Sequence, residues 1–292
     1  MNKIAESELI LNADGSVYHL KLLPHQIAKD IIVVGDPNRV KLISSRFEKI
    51  EHVIENREFI THTGYFNGKK ITALGTGIGT DNIDIVINEL DALVNIDLSS
   101  KTIKNELTSL NIVRIGTCGA LQPHIQSNDF VISEFALGLD GLLNHYQLTN
   151  TEEEQEIDHE FKSQIKYSSE INPIYVVKGS SRLYNLFKKY CHSGITATAS
   201  GFYGPQGRVL RLALKNPDLN HQLHHFSYKN LKVNNFEMET SALYGLSKLL
   251  GHNACTVCVV VANRYAKSTS KDYHPAMEKL IDIVLQELTI QS

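Results

Sequence analysis

Three short stretches combine glycine-rich turns with groups that hold anions: "VVGDPNRV", "LGTGIGTDN" and "RIGTCGALQP". Each follows a run that reads as a strand. Glycine lets a backbone approach an anion closely, and the exposed N–H groups of such turns donate to it. Arg39, Arg114 and the Thr117 hydroxyl add side-chain donors. A guanidinium fork bonds two oxygens in one plane, which suits phosphate. Gly75-Thr76-Gly77-Ile78-Gly79 lacks the G-x-G-x-x-G spacing of a dinucleotide fingerprint, and no P-loop pattern is present. The three loops together point to a small free anion such as orthophosphate. A fourth stretch, "NNFEMETSALYGLSKLLGH", places Glu237 and Glu239 on either side of Met238 where a strand-like run gives way to a helix. Carboxylates there either complement the helix N-terminus or grip a ligand.

The elements that would carry these groups alternate along the chain. "DIIVVGD" reads as a buried strand and Pro37–Phe47 as the following helix, with Asp36 as N-cap and Pro37 in the first turn. Arg57–Thr76 reads as a hairpin turning at Asn67-Gly68. Asp81–Val94 has helical spacing. "IVRIG", "DFVISEFAL", "PIYVVKG", "ITATAS" and "ACTVCVVVA" read as strands, and Met277–Leu288 as a closing amphipathic helix. This alternation predicts an α/β fold: a single domain over residues 1–292 with a mixed, mostly parallel central sheet flanked by helices. Asp97–Leu110 is a polar excursion, and the acidic run Thr149–Asp158 reads as a solvated helix face or loop.

Composition narrows the function classes. A net charge of −3 over 292 residues argues against a general nucleic-acid binder. No apolar run approaches the length of a membrane span, and the N-terminal stretch lacks a secretory pattern. Four cysteines suggest reduced thiols and a cytoplasmic location. Cys255 and Cys258 are three apart on one strand and so point to opposite faces, which speaks against a metal or redox pair. His221, His224 and His225 have helical spacing but no neighbouring carboxylate or thiolate to complete a metal set, so a solvated face is expected.

The chain resembles the uridine phosphorylases, of the hexameric branch of the nucleoside phosphorylase superfamily. "VYHLKL", "GDPNRV", "NREF", "TGIG", "RIGTCGALQPHI", "FYGPQGR", "FEMET" and "VANR" occur in the order that family shows, from Val17 to Arg264. The resemblance implies a phosphate site of Gly35, Arg39, Arg114 and Thr117, completed by Arg57 from a neighbouring subunit. It implies a ribose site of Glu237, Met238 and Glu239, with His19 lent by the neighbour. Phe202, Gln206 and Arg208 match the base-binding segment, and Arg264 matches a further base-side arginine. Arg114, Gln206, Arg208 and Arg264 then carry catalysis. Alternation along the strand could instead turn Glu237 away from the sugar and leave it to cap the helix.

The residue types agree with these roles. Uracil presents two carbonyl oxygens around one N–H; a glutamine amide offers a donor and an acceptor, and an arginine donors only. A similar purine phosphorylase would place an aspartate where this chain reads "VVVANR", and a water-using nucleosidase would not need Arg39, Arg57 and Arg114 together. The expected reaction is reversible phosphorolysis of uridine, with deoxyuridine or thymidine also open, and phosphate as co-substrate rather than any cofactor. The expected assembly is a homo-oligomer, with a dimer as the minimal active unit within a hexamer. Some family members bind a monovalent cation at the dimer interface; Glu58 and Ile78 match two of its ligands, but Asn82 replaces a serine at the third. Gly207 stands where the family often has a charged residue, and Lys215–Val233 does not match closely. Two alternatives stay open: a purine or 5′-deoxynucleoside phosphorylase or nucleosidase of the same fold, and a non-catalytic nucleoside-binding protein.

Overall fold

A computed structural model describes residues 3–165 and 173–290. The strands are β1 (Asp30–Val34), β2 (Lys49–Asn56), β3 (Phe59–Phe66), β4 (Lys69–Gly75), β5 (Ile96–Asp97), β6 (Thr102–Ile103), β7 (Asn111–Ala120), β8 (Phe130–Gly138), β9 (Tyr175–Lys178), β10 (His192–Thr198), β11 (Ser227–Tyr228), β12 (Leu231–Glu237), β13 (Asn253–Asn263) and β14 (Ser268–Thr269). The α-helices are α1 (Pro37–Ser44), α2 (Thr80–Asn95), α3 (Glu152–Gln164), α4 (Ser181–Phe187), α5 (Leu219–His225), α6 (Thr240–Leu250) and α7 (His274–Ile290).

Among the described residues, one sheet runs in the order β11-β12-β10-β8-β13-β7-β1-β4-β3-β2, with β9 on β8 and β14 on β13. β4, β1, β7 and β13 are mutually parallel, as are β8, β10 and β12. The two groups meet through antiparallel β8–β13, and the β2-β3-β4 meander is antiparallel. Side chains of β1 alternate between two cores, as strand geometry dictates. Ile31 and Val33 pack with Ile83, Ile87 and Leu90 of α2 and Leu243 and Leu246 of α6. Ile32 and Val34 pack with Ile43 of α1, Leu183 of α4 and Ile281 and Val284 of α7. A sheet buried on both faces explains the continuous apolar run of that strand.

The sheet also closes on itself. Asn235 and Phe236 of β12 pair back with Ala120 and Gly119 of β7, so β7, β13, β8, β10 and β12 form a ring. Register shifts at Val260/Ala262, Gly194/Ile195 and Ile195/Thr196 lie within it. Such bulges bend strands, and the bending brings the ends of β7, β12 and β13 to one rim.

Most expected elements appear with altered ends. Asp36 caps α1, accepting from Asn38 N at 2.9 Å. Asn67 and Gly68 both have positive φ (49° and 72°), the two-residue geometry that fixes the β3–β4 register. The edge strand β2, with mostly polar and half-exposed side chains, carried no clear pattern. Asp97–Leu110 contains the small β5–β6 hairpin. The acidic run forms α3, opened by a Thr151/Glu154 capping box. Glu154 is a departure from the solvated face expected: it is fully buried, accepting from Lys248 Nζ at 2.6 Å and Lys178 N at 2.8 Å. Cys255 and Cys258 enter different cores, as their spacing requires. The three histidines lie on α5, where His224 stacks on Tyr265 at 4.3 Å. Among the described residues, no three His, Cys, Asp or Glu side chains gather as a metal set, and no helix is long and apolar enough to cross a membrane.

Candidate active site

At the rim where β1, β7, β12 and β13 end, a cavity of about 970 Å³ opens. This is where ligands sit in open α/β sheets. Twelve of the candidate site residues line it: Gly35, Arg39, Ile78, Arg114, Thr117, Phe202, Gln206, Arg208, Glu237, Met238, Glu239 and Arg264. His19, Arg57 and Glu58 lie outside its lining.

One end is built on the three glycine loops. Arg114 folds back over Gly116, where an added Cβ would stand 2.1 Å from Arg114 Nη1; only glycine leaves that space. Its Nη2 donates to Glu239 Oε2, and its Nη1 lies 3.3 Å from Glu237 Oε2 and 3.4 Å from Cys258 Sγ. Burial works against the Arg114 charge, but Glu239 and Glu237 outweigh it and raise its pKa. Arg39 donates to Ile115 O at 3.3 Å, and burial followed by the charge of Arg114 lowers its pKa. An anion between two such guanidiniums relieves their repulsion. Glu239 Oε1 accepts from Gly79 N at 2.8 Å, tying the "TGIG" loop to Arg114. A Cβ on Gly35 would meet Gly77 O at 3.3 Å, so the first and second loops are in close contact.

Glu237 is committed to the protein. Its oxygens accept from Thr198 Oγ1 (2.6 Å), Glu239 N (2.9 Å) and Thr240 N (2.9 and 3.1 Å). The last two are orphan donors at the start of α6, so Glu237 closes that helix while orienting Arg114.

The other end is a separate cluster. Arg208 Nη1 donates to Phe202 O and to Gln206 Oε1, both at 2.6 Å, and its guanidinium lies 3.7 Å over the Phe202 ring. Burial, then the charge of Arg264, pulls the Arg208 pKa down to about 10. The Arg264 pKa is also lowered by burial. Arg264 N donates to Ala120 O at 2.7 Å, and its side chain runs over Gly119, where a Cβ would lie 3.3 Å from Arg264 Cγ. Asn220, Lys267, Ser268 and Thr269 also line the cavity and were not foreseen. Their only signal in the sequence was nearness to "VANR" or to the segment that departs from the family.

The residues outside the cavity form a surface group. His19 Nδ1 lies 2.7 Å from Glu89 Oε1, and Asn56 Nδ2 donates to His19 O at 2.7 Å. Arg57 Nη2 lies 3.3 Å from Tyr18 Oη. Arg57 sits at the tip of the β2–β3 hairpin with φ +54°, a conformation uncommon for a side-chain-bearing residue. Asn82 and Glu58 flank Gly77, whose added Cβ would be 2.4 Å from Asn82 Nδ2 and 3.7 Å from Glu58 Cγ.

Comparison with known proteins agrees with this architecture. The family model described as the phosphorylase superfamily matches residues 29–287. The uridine phosphorylase of Thermococcus kodakarensis is 30% identical over 293 residues, 98% of this chain and 90% of that relative. A DeoD-type purine nucleoside phosphorylase of Alkaliphilus metalliredigens is 29% identical, covering 92% of this chain and 97% of its own length. The solved structure of a Trypanosoma brucei nucleoside phosphorylase, described as showing uridine phosphorylase activity, superposes with a TM-score of 0.89 at 29% identity, over 97% of this chain and 100% of that one. With its nucleoside phosphorylase fold and its near-complete match to the family model, the chain belongs to the phosphorylase superfamily.

Proposed function

We propose that the protein catalyses reversible phosphorolysis of uridine to uracil and ribose 1-phosphate. The observation that carries this reading is the second cluster: Arg208, Arg264 and Gln206 stand together on the cavity wall, where each arginine and the glutamine amide can donate. The carboxylates of the lining are Asp36, beside the first glycine loop, and Glu237 and Glu239, paired with Arg114. A leaving uracil accumulates negative charge on its carbonyl oxygens, which such donors stabilise. A purine leaving group would call for an acid at the place held by Arg264.

In this reading phosphate lies between Arg39 and Arg114, with the Thr117 hydroxyl and the Gly35 backbone as further donors. The Arg57 of a neighbouring subunit closes the cage. As the N-glycosidic bond breaks, the phosphate dianion stabilises positive charge on the ribose and then bonds to C1′. The electron pair of the broken bond leaves on uracil, held by Gln206, Arg208 and Arg264. Glu239 accepts from ribose hydroxyls and Met238 packs against the sugar. Glu237 acts through Arg114 and α6 rather than on the sugar, since its oxygens are engaged. Catalysis is positioning plus preorganised charge, and phosphate is the only co-substrate it requires. This reading leaves room for a monovalent cation at the dimer interface, held by Glu58 and the Ile78 carbonyl, with Asn82 in place of the third ligand.

The same reading makes the working unit a dimer, within a hexamer: His19 and Arg57 lie outside the cavity of their own chain, and the reading assigns them to a neighbouring protomer's site. It takes residues 1–292 as one domain in the reducing cytoplasm, where four free cysteines are stable. The test is a panel of uridine, deoxyuridine, thymidine, inosine and a 5′-deoxynucleoside, each with phosphate. Turnover led by uridine is expected; turnover of inosine alone would move the assignment to the purine branch.

A further inference from the structure

The segment Lys215–Val233, which does not match the family pattern closely, delivers Asn220 to the base end of the cavity. Asn220, on the first turn of α5, lies between the two arms of that cluster. In the amide orientation that satisfies both neighbours, it donates to the backbone oxygen of Gln206 at 3.3 Å and accepts from Arg264 Nη2 at 3.2 Å. Gly207 is matched to it. That residue has φ +68°, and an added Cβ would stand 2.7 Å from the amide atom of Asn220 that is Oδ1 in this orientation, and 3.0 Å from its Cγ. A side chain at position 207 would therefore push the asparagine off both partners.

The arrangement leaves Arg264 asymmetric. Its Nη2 is held by Asn220, while its buried Nη1 finds no hydrogen-bond partner among the described residues. A buried cationic donor left unsatisfied is unfavourable, so the guanidinium depends on its other contacts to stay in place. Holding one amine of a planar fork also fixes the direction of the other.

We propose that Asn220 is a positioning residue for the base subsite: it clamps Arg264 to the Gln206–Arg208 loop and so fixes the guanidinium on the cavity wall, where it donates to a carbonyl oxygen of the base. The clamp rests on the uridine reading above and adds to it a selectivity for a carbonyl-bearing pyrimidine edge over an amino-bearing one. An amino group would present a donor to a donor, and the site would leave both unpaired.

The test is a double-mutant cycle on the full-length enzyme, with uridine varied at saturating phosphate. Asn220→Ala is expected to lower kcat/KM for uridine roughly ten- to a hundredfold, the effect of losing one charge-assisted hydrogen bond, and to leave the KM for phosphate unchanged. Its uridine-to-cytidine preference is expected to narrow. Because Asn220 acts through Arg264, the Asn220→Ala/Arg264→Ala double variant should be no worse than Arg264→Ala alone. A merely structural role for α5 would instead raise the phosphate KM too and make the two losses multiply; either result overturns the clamp. If Asn220→Ala does not fold, Gly207→Ala carries the test from the other side and should reproduce the loss; normal uridine kinetics in it overturns the clamp. An active wild type with an impaired Arg264→Ala but a normal Asn220→Ala refutes the clamp alone. A wild type inert on uridine refutes the uridine reading, and the clamp with it.

Discussion

Replacing Arg208 by alanine removes a donor aimed at the leaving base, and the structure sets what the change should do. Arg208 reaches into the base cluster through Phe202 O and Gln206 Oε1, both at 2.6 Å, and rests 3.7 Å above the Phe202 ring. Loss of one preorganised donor to a developing anion costs about 2.7–4 kcal/mol of transition-state stabilisation, or two to three powers of ten in rate. The effect on stability has a different sign. A base whose pKa falls on folding carries its charge at a cost, and Arg208 falls to about 10 through burial and the nearby Arg264. Below both pKa values that cost is present in the folded state, so removing the charge offsets the loss of stacking on the Phe202 ring. Arg208→Ala should therefore lower kcat/KM for uridine by roughly two to three powers of ten while the melting temperature holds or rises. Arg208→Lys keeps the charge but loses the fork, and should fall between. Steady-state kinetics and a thermal melt on the same preparations decide it. A kcat/KM within about threefold of wild type, under ~1 kcal/mol, would refute the placement of Arg208 at the base.

Two further predictions follow the same reasoning. Glu237→Gln keeps the shape but removes a buried charge from Arg114 and weakens the α6 cap. Burial raises the Glu237 pKa, so that charge is itself held at a cost. With Glu239 still paired, the loss in urea unfolding is expected to stay below the ~3 kcal/mol of a broken buried pair, while an unmoved midpoint would show that Glu237 is not structural. Co-expressing Arg57→Ala with Arg114→Ala subunits should restore about one quarter of wild-type activity, since half of the two-fold pairs then hold one intact site; no recovery above the separate variants would place Arg57 in its own protomer's site.

What the sequence showed of this protein depended on how local each feature is. The N-cap at Asp36 and the Asn67-Gly68 turn are set by neighbouring residues, and both were readable. The glycine loops read as anion cradles because close backbone approach demands glycine; at Gly116 the structure puts the Arg114 side chain in the space a Cβ would take. Features that depend on distant pairing were hidden. The closure of β12 onto β7 needs register shifts in β10 and β13 that no periodicity reports. The burial of Glu154 depends on Lys248, 94 positions away in the chain. Asn220 reaches the cavity from a segment that does not match the family motifs closely, and only its packing against Gly207 and Arg264 reveals it. Glu237 was legible in type but divided in role, because a carboxylate before a helix reads equally as a cap and as a ligand; its four hydrogen bonds to Thr198, Glu239 and Thr240 favour the cap.

The central claim is that phosphate, held by the glycine loops with Arg39 and Arg114, is the nucleophile. The most direct measurement incubates the enzyme with uridine in phosphate-free buffer and again with phosphate, following uracil and ribose 1-phosphate together. Uracil release that requires phosphate and matches ribose 1-phosphate one for one is the predicted result. Equally rapid uracil release without phosphate, yielding free ribose, would contradict it.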